Sequence, residues 1–201
     1  MAHLRRSFFK VQSAVFKVQS SINDKPTKYF VFCGFYVTIV LMRIIGIDPG
    51  LLHTGWAVIE SDGPARHYVA SGVILPPAKA ALPERLAFIF RGVKKLCDEF
   101  KPQVCSIEII FVNKNPKTTL LLGHARAAAI VAVADANIPL FEYEPNAIKK
   151  ALTGAGHADK EQIYKMLKIL LPAAKPKTPD ESDAIAIAMT HANMSSFKGM
   201  K

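Results

Sequence analysis

The stretch "IGIDPGLLHTGW", residues 45–56, places a carboxylate at the end of an apolar run. Asp48 closes the run, and Pro49 and Gly50 break the strand immediately after it. A carboxylate held at the end of a buried strand costs free energy unless a cation or a hydrogen-bond donor meets it. Asp before Pro-Gly is also a common way to start a turn, so Asp48 needs partners elsewhere in the chain to indicate chemistry.

The pattern on both sides of this stretch predicts an α/β domain. Three short strands joined by short links indicate an antiparallel meander, and an amphipathic helix follows them. The predicted strands cover residues 43–48, 54–60, 65–75, 104–111 and 138–143, and the predicted helices cover 83–100, 118–136, 144–152, 159–171 and 180–193. This order predicts a five-stranded mixed sheet flanked by helices.

The charge of the chain indicates a polyanionic partner. Its 26 Lys and Arg against 16 Asp and Glu give a formal net charge of +10. Residues 1–41 hold six basic residues against one acidic residue, which leaves twenty against fifteen for residues 42–201. A basic body favours phosphate-rich ligands such as nucleic acid. The three cysteines have no CxxC spacing, so neither a disulfide framework nor a thiolate zinc site is predicted.

The first 41 residues are interpreted separately, as an N-terminal extension of uncertain status. Their apolar run from Tyr29 to Leu41 is thirteen residues long, whereas a membrane span needs about 20, and its β-branched and aromatic content favours a strand. A targeting segment and a misassigned start are the other interpretations. We expect a functional domain over residues 42–194, a short tail over 195–201 and a cytoplasmic protein.

Four carboxylates are the candidate catalytic residues. If the fourth strand is parallel to the first and beside it, Asp48 and Glu108 lie close together at the carboxyl ends of both strands. Asp180 and Asp183 share one face of the last helix, whereas Glu181 is rotated away. Asp180 or Glu181 alone has an ordinary alternative, because acids are favourable at any helix N-terminus, whereas Asp183 borders the apolar run and is harder to explain in that way. Together the four carboxylates would repel one another unless divalent cations lie between them.

Hard oxygen ligands of this kind point to Mg²⁺, with Mn²⁺ as a substitute, and to two ions per site. An acidic metal site in a basic body predicts a nuclease. The histidines after Met42 lack ligand spacing, so we expect them to be surface or capping residues. Trp56 is predicted to lie in the core.

Four motifs in order resemble the RuvC family of Holliday-junction resolvases: "IGIDPGLLHTGWAVI", "IEIIFVNKNPKTTLLLGHARA", "FEYEPNAIKKALTGAGHADKEQI" and "DESDAIAIAMTHA". The resemblance spans about residues 42–192. It implies a ribonuclease H-like fold, a homodimer, and symmetric Mg²⁺-dependent nicking of two opposed strands of a four-way DNA junction in recombination and repair. The family's catalytic carboxylates fall on Asp48, Glu108, Asp180 and Asp183.

The resemblance also implies residues that contact DNA. Phe111 matches an aromatic that stacks on unpaired bases at the junction centre, with a core phenylalanine as the alternative. Lys149 and Lys160 match lysines near the scissile phosphate, and the glycine-rich loop before Lys160 permits close backbone approach to phosphate. The expected general phosphate contacts are Lys114, Lys117 and Lys150. The family further implies a branch-migration motor complex as a partner.

Two positions depart from the family pattern. Ile109 stands where a polar residue usually follows the strand glutamate, which removes a hydrogen-bonding side chain near the cleft. The first loop reads "LLHTG", in which an arginine common in the family is absent. These changes affect the positioning of DNA more than the binding of metal.

The helix "TTLLLGHARAAAIVAVADA" is too apolar to be half exposed in a monomer, and we expect no membrane contact in the core domain. Its alanines, Ala127, Ala128, Ala129 and Ala132, are expected to allow a close two-fold helix contact. Two alternative functions stay open here. One is an actin-like ATPase, whose phosphate loop resembles "DPGLLHTG", and the other is a non-cleaving junction-binding protein on the same fold.

Overall fold

The computed structural model describes residues 27–32, 35–110 and 115–198. Seven strands and five helices are assigned within these ranges. The strands are β1 (Thr27–Phe32), β2 (Phe35–Val40), β3 (Met42–Asp48), β4 (Thr54–Ser61), β5 (Arg66–Ile74), β6 (Val104–Glu108) and β7 (Leu140–Tyr143). The helices are α1 (Leu82–Phe100), α2 (Pro116–Asp135), α3 (Pro145–Thr153), α4 (Lys160–Leu170) and α5 (Pro179–Lys198).

The main sheet has five strands in the order β5-β4-β3-β6-β7. Strands β3, β4 and β5 form the predicted antiparallel meander, and β6 pairs parallel to β3, with β7 parallel to β6. The prediction of a five-stranded mixed sheet is therefore confirmed, and so is the parallel neighbour of the first strand. The apolar run ahead of β3 forms a separate antiparallel pair, β1 with β2.

Helices cover both faces of the main sheet because β3 and β6 are apolar on both sides. Ile44 packs against α5, α3 and α4 in one hydrophobic cluster. Ile45 and Ile47 pack against α1 and α2 in the other. Alternation along β3 therefore assigns even-numbered residues to the α5 side of the sheet. Asp48 belongs to that side.

Two glycines let α5 lie directly on the sheet. A Cβ added at Gly46 of β3 would come within 2.3 Å of the carbonyl oxygen of Ala184. A Cβ added at Gly55 of β4 would come within 2.2 Å of the carbonyl oxygen of Asp180. Real Cβ atoms do not approach backbone atoms so closely, so any larger residue would move the helix away. These contacts place the first turn of α5 over the end of β3.

Strand β6 is shorter than predicted, ending at Glu108 rather than at residue 111. The sequence stays apolar after Glu108, but the neighbouring strand β7 ends at Tyr143, and Pro145 begins α3. The last ladder contact is the Ile109 amide, which donates to the Tyr143 carbonyl at 2.8 Å. In the other direction, α5 continues to Lys198, so no element boundary separates the predicted tail at residue 195.

His191 corrects the expectation that the histidines lie on the surface. It is only 5% exposed, and its Nδ1 lies 2.8 Å from the hydroxyl oxygen of Tyr143. Burial on the inner face of α5 requires a polar partner for the imidazole, and Tyr143 supplies one. Trp56 is half-buried at the edge of the core, with its ring 5.6 Å from that of Phe100.

Candidate active site

Two candidate carboxylates lie at neighbouring strand ends. Asp48 and Glu108 each follow directly after the parallel pair Ile47 and Ile107, so they are adjacent across β3 and β6. Ser106, two residues before Glu108, donates to the Ile187 carbonyl of α5 at 3.2 Å, which identifies the face of β6. By strand alternation Glu108 shares that face. Both carboxylates are therefore directed to the side of the sheet that α5 covers.

The other two candidates come from the start of α5. Asp180 and Asp183 lie in its first turns, which Gly55 and Gly46 hold close to β4 and β3. The intervening Glu181 faces elsewhere, as predicted. It is 6% exposed and accepts a hydrogen bond from the Ser71 hydroxyl of β5 at 2.7 Å. Glu181 thereby fastens the helix start to the sheet and leaves the two aspartates free to face β3.

The electrostatics of Asp48 show that the four carboxylates share one environment. Burial, together with the nearby charges of Asp183, Glu108 and Asp180, raises the pKa of Asp48 from 3.8 to about 7. Burial also raises the pKa of Glu108, with Asp183 adding to the effect. Like charges gathered in a partly desolvated site disfavour ionisation. Asp48 therefore keeps its proton to a much higher pH than an ordinary aspartate does.

The donor set fits a hard divalent cation, since it offers only carboxylate oxygens and carries excess negative charge. As the side chains stand, no three His, Cys, Asp or Glu residues within the described ranges form a ready-made metal cluster. The raised pKa of Asp48 is nevertheless the signature expected of acids that lack a compensating cation.

Two of the predicted lysines lie beside the carboxylates. The Lys160 ammonium is 3.3 Å from Oδ2 of Asp183, and its charge lowers the pKa of Asp48 and Glu108 against the effect of burial. Lys149 likewise lowers the pKa of Glu108. Lys160 begins α4 directly after Asp159, which caps that helix by accepting from the Gln162 amide at 2.8 Å. This cap fixes the backbone at the start of α4, from which the Lys160 side chain extends.

The remaining predicted DNA contacts are placed differently. Lys117 and Lys150 are exposed, in α2 and α3, and neither is among the charges that shift the pKa of Asp48 or Glu108. Phe111 and Lys114 lie outside the described residues. Their expected contacts with DNA stay predictions.

Arg126 is a site residue that the sequence did not reveal. From α2 its Nε donates to the backbone carbonyl of Glu108 at 3.0 Å, and its Nη2 donates to Oε1 of Glu142 at 2.5 Å. The guanidinium therefore joins β6 to β7 where both strands end. An arginine inside an alanine-rich helix was the one available signal.

A second arginine approaches the first loop, which lacks the arginine common in the family. Arg85 of α1 donates through Nη2 to the Leu51 carbonyl at 2.5 Å. A basic side chain thus reaches this loop from another element.

Comparison with known proteins identifies the family. The profile described as "Crossover junction endodeoxyribonuclease RuvC" matches residues 44–191. The chain belongs to the RuvC family. Two relatives bearing that same name come from Bartonella henselae, 47% identical over 150 residues, and Rhodopseudomonas palustris, 49% identical over 152 residues. These alignments cover 75% and 76% of this chain, and 89% and 87% of the relatives.

Solved structures agree with this membership. RuvC of Thermus thermophilus matches with a TM-score of 0.72 and 30% identity, covering 78% of this chain and 97% of its own. The structure of that RuvC in complex with a Holliday junction substrate matches with a TM-score of 0.73. The yeast mitochondrial resolvase Ydc2, 13% identical with a TM-score of 0.59, shares the fold. The ribonuclease H-like fold is confirmed.

RuvC-family membership also confirms the predicted enzyme class, an endodeoxyribonuclease that hydrolyses phosphodiester bonds. It implies dependence on a divalent metal. Neither the ATPase nor the non-cleaving binding protein is supported by these comparisons.

Proposed function

We propose that this RuvC-family protein resolves four-way Holliday junctions by nicking two opposed strands, with Asp48, Glu108, Asp180 and Asp183 as the ligands of two Mg²⁺ ions. The observation that carries the proposal is the shared electrostatic environment of the four carboxylates. Burial of Asp48 and the charges of the other three carboxylates together raise its pKa to about 7. Such a cluster is costly in a metal-free protein and becomes favourable once divalent cations are bound.

Two bound ions would supply an activated water and stabilise the leaving oxygen of the phosphodiester. The chain's own residues set the conditions for that chemistry. Asp48 would hold a metal ion as the ionised carboxylate, so it would have to give up its proton to act as a ligand. Lys160, beside Asp183, offsets part of the negative charge and is placed to attract a phosphate oxygen. Arg126 holds the backbone of Glu108.

We assign substrate binding to the basic residues around the carboxylates. Lys149 and Lys160 lie near enough to influence Glu108, so they are proposed to contact the scissile phosphate. Lys114, Lys117 and Lys150 are proposed as phosphate contacts farther along the arms of the junction. Phe111 is proposed to stack on unpaired bases at the junction centre, by resemblance to the family.

The outer face of α2 supports a homodimer. Leu120 and Val131 are 62% and 56% exposed, Ala127 between them is exposed, and a Cβ added at Gly123 would meet open space. By length and composition α2 is apolar enough to cross a membrane, and only 22% of that stretch is buried, so most of it needs another cover. Packing against a second copy would cover the same face in water.

The buried alanines of α2 correct part of the earlier expectation. Ala129 and Ala132 are fully buried in the cluster that contains α1, so they do not form the outer contact. The outer stripe is instead Leu120, Ala127 and Val131, at helical spacing. A two-fold axis through this stripe would hold two active sites on one junction. The cytoplasmic location and the motor partner rest on the family resemblance.

The test is a gel assay of the full chain on a four-way junction and on a linear duplex of matching sequence, with Mg²⁺ or with EDTA. Asp48→Asn and Glu108→Gln should each abolish nicking and keep junction binding, because both leave the basic surface intact. Asp98→Asn, at an exposed carboxylate of α1, is the matched control and should nick normally. Undiminished nicking by either site variant would refute the assignment.

A further inference from the structure

We infer that a cleft between α4 and α5 binds the nucleoside that adjoins the scissile phosphate. The inference extends the proposed function, on which it rests. The cleft has a volume of about 380 Å³ and is lined by the first two turns of α4, the link before α5 and the start of α5. That volume lies within the range of about 300–1,000 Å³ common for small-molecule sites.

The cleft is continuous with the proposed catalytic site. Lys160 and Asp183 both line it, and their side chains are 3.3 Å apart. A group bound in the cleft therefore lies next to the phosphate that these residues are proposed to handle. In a DNA strand, the group next to a phosphate is a sugar and its base.

The lining suits a nucleoside because it combines positive charge with flat apolar surface. Lys160 and Lys177 are exposed cations, whereas the one acid of α4 at the rim, Glu161, is paired with Lys165 at 2.8 Å. Lysines of this kind contact the backbone of a bound strand. In the lining, Lys160 and Lys177 balance Glu161 and Asp183, and the neighbouring Lys165 and Lys168 give the cleft mouth a positive excess that favours DNA.

Tyr164 supplies the surface for the base. Its side chain lies on the wall of the cleft and is 37% exposed, and the prolines Pro176 and Pro179 form other parts of the lining. The Lys168 ammonium lies 4.2 Å from the centre of the Tyr164 ring, a cation–π contact that helps to orient it. An exposed aromatic ring beside a cationic groove is the usual platform on which unpaired bases stack.

The experiment is a double-mutant cycle between protein and DNA. Junctions carry an abasic residue on one or the other side of the scissile phosphate, and single-turnover nicking is measured for the wild-type chain and Tyr164→Ala. For the wild type, the abasic residue on the contacted side should slow nicking by roughly five- to a hundredfold. Tyr164→Ala should lose a similar factor on the normal junction and nothing further on the abasic one.

Two variants test whether the ring itself acts. Tyr164→Phe keeps the ring and should behave as wild type on every junction. Phe88→Ala removes an aromatic of similar exposure, 38%, from α1 on the other face of the sheet, and should not change nicking. Additive losses, or normal nicking by Tyr164→Ala, would overturn the cleft assignment while leaving the resolvase intact. Failure of the wild type to nick any junction would instead refute the proposed function and the inference with it.

Discussion

Asp48 couples the protonation of the site to the stability of the metal-free protein. Its pKa rises from 3.8 to about 7 on folding, so the native state binds this proton more tightly than the unfolded chain does. Stability from this group is therefore highest at low pH and declines as pH rises from about 4 to 7. At pH 8 the ionised carboxylate costs roughly 4 kcal/mol relative to its unfolded state.

Asp48→Asn should therefore stabilise the metal-free protein while it abolishes nicking. The gain in unfolding free energy should grow by about 2–3 kcal/mol between pH 5 and pH 8, because the variant lacks the titrating group. Urea unfolding in EDTA at both pH values measures it. A gain that does not change with pH would show that Asp48 is not the titrating residue.

Arg126 is predicted to position Glu108 through its backbone. Arg126→Lys keeps the charge but loses the Nε donor to the Glu108 carbonyl. We expect the Mg²⁺ concentration for half-maximal nicking to rise by about tenfold, the scale typical of residues that orient metal ligands. Glu142→Gln, which removes only the half-exposed ion pair, is the control and should leave the Mg²⁺ dependence unchanged.

The position of Asp48 could be predicted because it ends an apolar run, a feature visible within a few letters, and that of Glu108 because its strand was expected to pair parallel to the first. The roles of Gly46, Gly55 and Arg126 could not. Each acts on an element that is distant in sequence, and nothing near a glycine in "IIGID" indicates which helix will lie on it. His191 was misjudged for the same reason, since its partner Tyr143 comes from another strand.

At the scale of elements, the candidate site depends on the close packing of α5 against β3. Gly46→Ala would drive a methyl group into the Ala184 carbonyl and displace the first turns of α5. We expect a loss of about 1–3 kcal/mol in unfolding free energy, together with a large loss of nicking. Thermal unfolding and the junction assay measure the two effects.

Gly156→Ala is the matched control, because the nearest atom to its added Cβ would be 3.7 Å away. Its stability should stay close to that of the wild type. If Gly46→Ala were equally harmless, α5 would not lie directly on β3.

Strand and helix boundaries could be predicted where strand-breaking or helix-breaking residues stand next to them, as Pro49-Gly50 does after β3. The prediction ran too long for β6, whose apolar letters continue past Glu108. A strand ends where its neighbour stops pairing, and the end of β7 at Tyr143 is a property of the sheet. The start of α5 was predicted at residue 180, and the helix begins one residue earlier at Pro179, a residue favoured in the first turn.

At the scale of the whole molecule, the exposed face of α2 predicts that the protein acts as a pair. Leu120→Glu combined with Val131→Glu should give a monomer in analytical ultracentrifugation, because four acids would meet across the two-fold axis. Junction resolution should then change from paired to single nicks. Ile169→Glu, at an α4 residue that is 70% exposed, introduces acid elsewhere and should remain dimeric.

A dimer that persists in the double variant would place the interface on another surface. The meander and the parallel place of the fourth strand beside the first could be predicted, because a right-handed crossover after a meander leaves few arrangements. The outer surface of α2 could not, since apolar letters do not tell which half of a helix packs inward. Ala129 and Ala132 were assigned outward for that reason.

The place of α5 also governs when the enzyme can become active. Two of the four proposed ligands, Asp180 and Asp183, lie in the last helix, and the other two precede it by a large part of the chain. During translation, the nascent chain therefore has no complete set of proposed metal ligands until this helix has left the ribosome. Until then, the face of β3 that carries Ile44 and Gly46 lacks its cover and invites aggregation. Truncated products of interrupted synthesis would accordingly be harmless to DNA and prime targets for proteolytic clearance.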